Sequence, residues 1–176
     1  MTDARYEDAD ERPLRLLARD VEDLRVISAL VQDAILTGAD LKYLPGARRF
    51  SLLINRFRWE SHASAQSSGR PHERVRTLIV FHDVLRVRQQ GLEERSADTV
   101  LSLLAIEFTP AEATGADPAD PATNLGTDAP AGPGRVTLVF AGDGAVALDV
   151  ECLELHLGDV TRPYVAPSRL APDHLL

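Results

Sequence analysis

Several things are scarce in this sequence, and each scarcity narrows what the chain can be. There is one cysteine, Cys152, so no internal disulfide can form, which excludes a disulfide scaffold and fits a reducing cytoplasm. No apolar run approaches the ~20 residues needed to span a bilayer. The first residues, Met1 to Asp8, are acidic and lack the apolar stretch of a secretory signal. A cytoplasmic protein without a membrane segment is expected. Lysine is nearly absent, with Lys42 alone against 18 arginines, so any anion site would be built from planar guanidinium forks. Aromatic residues make up only 5% of the chain.

What is present fits one domain. The 176 residues (19.2 kDa) are 44% hydrophobic and 26% charged, with 11 Gly and 11 Pro. The net charge of −8 is unevenly placed: residues 1–40 carry −5, residues 41–95 carry +6 and residues 96–176 carry −9. A basic middle between acidic ends reads first as self-complementation, with acidic segments packing around basic strands. It reads second as a patch for an anion, either a small ligand or a nucleic acid. The overall negative charge argues against a nucleic-acid partner.

Residues 1–13 read as a disordered acidic arm, and residues 14–160 as a single domain. Leu14, Leu16 and Leu17 suggest a short strand. An amphipathic helix is expected over 21–36: Asp20 suits its N-cap, and Leu24, Ile27, Leu30, Val31, Ala34 and Ile35 recur on one face. Residues 41–60 read as strand, turn, strand, with a phase slip near Asn55 that suggests a β-bulge or a strand that changes which face is buried. Residues 61–73 read as a flexible hairpin loop. Val75 to Val87 is extended, with a break at His82-Asp83, and the apolar run 99–108 suits a buried strand or a helix.

Residues 110–134 hold five Pro, four Gly, four acids and no base, a composition that predicts a disordered insertion in a hairpin. Gly142-Asp143-Gly144 reads as a tight turn between strands 135–141 and 145–157, and the Pro-rich tail 161–176 as irregular. At an offset of 68, Leu78, Val80, Val84, Leu85 and Val87 match Val146, Leu148, Cys152, Leu153 and Leu155. The outward positions differ in charge, Arg86 and Arg88 in one copy and Glu154 and His156 in the other, and in two equivalent halves of a β-structure these pairs could face each other within the fold or across a dimer. The expected fold is α+β and mainly antiparallel β: a curved sheet or barrel with one helix, pleckstrin-homology-like by analogy.

Three stretches carry a family resemblance. They are Leu17 to Leu24 with Ile27-Ser28-Ala29 and Gln32-Asp33-Ala34, then Arg48-Arg49-Phe50 through Asn55 to Glu60, and finally Asp159-Val160-Thr161-Arg162-Pro163. Together they resemble an alphaproteobacterial family known as domain of unknown function 2948, over roughly residues 14–165. That resemblance implies a bacterial cytoplasmic setting and no particular activity.

The most suggestive chemistry lies in Asn55 to Glu60. On a strand, Arg56, Arg58 and Glu60 project to one face and Phe57 and Trp59 to the other. Paired guanidiniums could hold a carboxylate or phosphate, but a salt-bridged outer face over an aromatic core explains the same residues and is preferred. His82, beside Asp83 at a strand break, is a candidate base. None of the five histidines stands at zinc-site spacing, so neither a metal nor any other cofactor is expected. Cys152 reads as core. The favoured function is a non-catalytic interaction module that is a homo-oligomer or binds another protein. The alternative is a protein or enzyme for a small anionic ligand, using Arg56, Arg58, Trp59, Glu60 and His82.

Overall fold

The alternation of apolar and polar residues becomes one curved antiparallel sheet in the computed structural model, which describes residues 12–69, 71–92, 97–111 and 131–166. The elements are β1 (Arg15–Ala18), α1 (Val21–Leu30), β2 (Ala34–Thr37), β3 (Leu41–Leu44), β4 (Arg49–Phe57), α2 (His62–Ser68) and β5 (Glu73–Phe81). They continue with β6 (Val84–Gln90), β7 (Val100–Pro110), β8 (Gly134–Phe140), β9 (Gly144–Val150), β10 (Leu155–Asp159) and β11 (Tyr164–Val165). Strands run β1-β10-β5-β4-β2-β7-β8-β9-β6, with β3 added beside β4 and β11 beside β5. This path does not close, so the architecture is a curved sheet and not a barrel.

The curvature comes from one bent ribbon. β5 pairs with β10, whereas β6, only two residues further on, pairs with β9 in the other half of the sheet. The chain turns this corner at His82-Asp83, with Asp83 left-handed at φ 54°, and its partner turns at residues 151–154. Two backbone bonds carry the ladder round the bend: His82 N–H to the Glu154 carbonyl and Glu151 N–H to the Asp83 carbonyl, both 3.0 Å. The repeated segments thus pair with each other, although Arg86 and Arg88 do not face Glu154 and His156. Cys152 sits at this corner, half-buried, and donates from Sγ to Asp83 Oδ2 at 3.3 Å. Burial and that carboxylate raise its thiol pKa. It is a corner residue, not the core position expected.

Inward residues of the two halves meet in a shared core that includes Leu52, Ile54, Ile79 and Phe81 from one side and Leu138, Phe140, Val146 and Leu148 from the other. Helix α1 lies against β7 and β1 and buries Leu24 and Ile27. Asp20 caps it, accepting from Asp23 N–H at 2.8 Å. The helix stops at Leu30, six residues short of the expected end. Asp33 is left-handed (φ 61°) and donates its N–H to Leu103, and the chain then pairs with β7 as β2. There Ala34 and Leu36 turn inward and Ile35 outward, so pairing with the sheet overrides the helical periodicity.

The run 99–108 is strand, within β7. The stretch 61–73, expected as loop, holds α2, closed by left-handed Gly69. Residues 164–165 of the expected irregular tail pair with β5 as β11. The insertion joins the two strands of a hairpin, since β7 and β8 pair out to Pro110 and Gly134. Its residues 112–130, the arm through residue 11 and the tail from 167 lie outside the described residues.

Charge segregation resolves into ion pairs between the basic middle and the acidic C-terminal third. Arg48 pairs with Glu151, Arg56 with Asp159 at 3.0 Å, and Arg88 with Asp149 at 2.5 Å. Asp149 also accepts from Arg135 at 2.8 Å. Burial pushes the Asp149 carboxyl up, but the hydrogen bonds from Arg135 and Arg88 outweigh it and hold the pKa below the ordinary carboxylate value. A depressed folded pKa contributes stability above the unfolded pKa and loses it as pH falls through the folded value. Asp149→Asn should therefore be less stable than the wild type at neutral pH, with the gap closing as pH drops through the carboxylate range. Urea unfolding as a function of pH measures that gap.

Candidate functional site

On β4 the inward positions are Phe50, Leu52, Ile54 and then Arg56. The register with β5 runs unbroken from Phe50↔Phe81 to Phe57↔Arg74, so no bulge occurs at Asn55. What looks like a phase slip is a guanidinium standing at a core position. Arg56 is 0% exposed, which corrects the expected solvated outer face.

A buried charge persists only if paired and hydrogen-bonded, and Arg56 is both. Its Nη1 and Nη2 donate to the two oxygens of Glu60 at 2.8 and 2.9 Å. Nη2 also donates to Asp159 Oδ2 at 3.0 Å, and Nε to Thr77 Oγ1 at 3.1 Å. Thr77 donates its hydroxyl to Asp159 Oδ1 at 2.7 Å, and Leu14 N–H donates to Asp159 Oδ2 at 2.9 Å. Burial works against the Arg56 charge, but Glu60 and Asp159 outweigh it and raise the pKa further. One buried carboxylate thus collects donors from β4, β5 and the chain entering β1.

Arg58, also buried, donates to Glu73 at 2.5 Å and stands 3.8 Å from Glu60. Together Arg56, Arg58, Glu60, Glu73 and Asp159 form a cluster of two guanidiniums and three carboxylates. Phe57 turns to the other side, where Trp59 meets it edge-on at 4.6 Å and donates Nε1–H to the Gln32 carbonyl at 3.1 Å. His62 and His72 stack at 5.0 Å against Phe57.

Arg56, Arg58, Trp59 and Glu60 are thus one neighbourhood, while His82 is not part of it. It follows Phe81, which pairs with Phe50 at the opposite end of β4, about 20 Å from Arg56 at strand rise. Its neighbours are Glu154 and His156. Asp159, Thr77 and Glu73, which complete the Arg56 and Arg58 pairs, were not singled out as site residues. The only hint was charge at apolar parity.

Beside the centre lies an open depression of about 420 Å³, lined by Arg12, Pro13, Arg58, Asp159, Val160, Thr161, Arg162 and Pro163. Arg12 and Arg162 are exposed and have no ion-pair partner among the described residues. On the outward face of β1, β10 and β5, a second groove of about 640 Å³ runs between Leu17 and Leu78. Its floor is Gly158, where an added Cβ would meet nothing nearer than Arg15 Nη1 at 3.9 Å.

The fold is thus an α+β protein whose conspicuous charged residues bind one another inside the sheet. Residues 14–174 match the family described as protein of unknown function (DUF2948), and the chain belongs to that family. No curated protein and no solved structure matches it. Among the described residues no helix is long and apolar enough to cross a membrane.

The geometry makes Arg56 a structural counter-ion. Replacing it with methionine strands the Asp159 carboxylate in the interior, where an uncompensated charge costs about 3–5 kcal/mol. Arg56→Met is expected to lose that much in urea unfolding, and Arg58→Met distinctly less, because Glu73 and Glu60 reach solvent.

Proposed function

We propose that this protein is a non-catalytic interaction module that pairs with a second copy of itself through the outward face and outer edge of β1, β10 and β5. The observation that carries the reading is the apolar surface there. Leu17, Leu78 and Val160 are 41%, 38% and 55% exposed around a glycine-floored groove. β1 ends the sheet path, and among the described residues no strand lies on its outer side. An unpaired edge beside an apolar face is a template for further pairing. Antiparallel pairing of a strand with its own copy is isologous, since the same residues serve both partners. Internal pairing of the Arg56 centre supports the non-catalytic part, because those charges already satisfy one another.

One observation favours a second reading. Exposed Arg12 and Arg162 converge with Arg58 on the depression beside Asp159, which suits a small carboxylate or phosphate ligand.

Native mass spectrometry of the freshly purified chain tests both. The expected spectrum is a dimer at bare mass that becomes monomeric in Leu78→Glu, an exposed position where folding should be preserved. Circular dichroism checks that the variant folds. A wild-type monomer at every concentration would overturn the pairing. A retained anion lost on Arg162→Ala would move the function to the depression.

A further inference from the structure

We infer that His82, Glu154 and His156 form a binding site for a divalent transition-metal ion of the zinc class. The bend in the ribbon creates it. His82 ends one limb of the corner and Glu154 ends the other, held in register by the 3.0 Å bond from His82 N–H to the Glu154 carbonyl. His156 stands two residues beyond Glu154, within β10, where it pairs with Val80. One ligand atom from each residue lies within 4.8 Å of the other two.

The separations suit coordination. In a tetrahedral site with metal–ligand bonds near 2.0–2.1 Å, ligand atoms stand about 3.4 Å apart. His156 Nε2 and Glu154 Oε1 are already 3.2 Å apart. The His82 and His156 rings meet edge-on with centroids 4.8 Å apart, and binding an ion would draw the three ligand atoms from a spread of up to 4.8 Å to the coordinating separation. Two imidazoles and one carboxylate are a donor set that zinc-class ions accept, leaving further positions for water.

The surroundings are consistent with that role. Arg19 Nε lies 3.5 Å from Glu154 Oε2, which turns the other oxygen, Oε1, towards the histidines. Such an outer partner orients a ligating carboxylate. Burial, and then the neighbouring His156, hold the His82 pKa below its ordinary value against the opposing pull of Glu154. The side chains remain partly exposed, which gives an ion a way in. His156 lines the groove on β1, β10 and β5, and the three ligands come from one chain without pairing of two copies.

The test uses the full chain, stripped with a chelator and dialysed. Isothermal titration with Zn²⁺ should give one ion per chain, with affinity lowered at least about tenfold in His156→Ala and in His82→Ala. His156 is half exposed, so its variant should fold, and circular dichroism verifies this. Cys152→Ser and His62→Ala should bind as the wild type does. Co²⁺ in place of zinc should give visible ligand-field bands without a thiolate charge-transfer band. Absence of saturable binding would overturn the inference. So would binding that survives both histidine substitutions, or binding lost in Cys152→Ser, which would place the ion on the thiol.

Discussion

The structure depends on the ion pair between Arg56 and Asp159. Arg56 occupies a core position on β4, and Asp159 ends β10, two strands away across β5. Thr77 of β5 bonds to both, and Leu14, entering β1, donates to the same carboxylate. Four neighbouring strands of one half-sheet are thereby locked at one end by a single buried cluster. A purely apolar cluster would fill the space as well. A directional one adds to the register set by apolar alternation, because every donor needs its own acceptor. In an antiparallel sheet a one-residue slip would turn each strand inside out.

The bent ribbon does the complementary work at the other end. β5–β6 and β9–β10 turn together at His82-Asp83 and residues 151–154, so one pair of chain segments serves both halves of the sheet. Arg48 reaches both Asp83 and Glu151 across this corner. The same turn leaves Cys152, Glu154 and His82 half-buried at the bend. Groups with chemical potential therefore gather where the backbone cannot continue a regular ladder. The charge distribution follows the same geometry: arginines of the middle segment find acids of the C-terminal third on a neighbouring strand, as Arg88 does, or across one, as Arg56 does.

Much of the fold was legible because strands and turns are local. Asp20 marked the start of α1, Gly142-Asp143-Gly144 marked the β8–β9 turn, and His82-Asp83 marked the break between β5 and β6. The end of α1 was not legible, because Asp33 leaves the helix to bond Leu103, some 70 residues further along the chain. The candidate site was half legible. Arg56, Arg58, Trp59 and Glu60 share a neighbourhood, but a charged residue at an inward position reads as one pointing out. The partners that reverse that reading, Thr77 and Asp159, lie 21 and 103 residues away. His82 was grouped with them by chemistry and stands at the far end of β4, beside residues whose spacing in sequence says nothing about a ligand set.

The most direct measurement of the central claim is a double-mutant cycle on Arg56 and Asp159, read by urea unfolding of Arg56→Met, Asp159→Leu and the double variant. If the buried pair locks the half-sheet, Arg56→Met leaves Asp159 without its counter-ion and Asp159→Leu leaves Arg56 with Glu60 alone, losses that the double variant does not add together. The double variant should then be more stable than the sum of the single losses predicts, with a coupling of about 2–3 kcal/mol. Additive losses would contradict the account and place the hold on β1, β4, β5 and β10 in the apolar core alone.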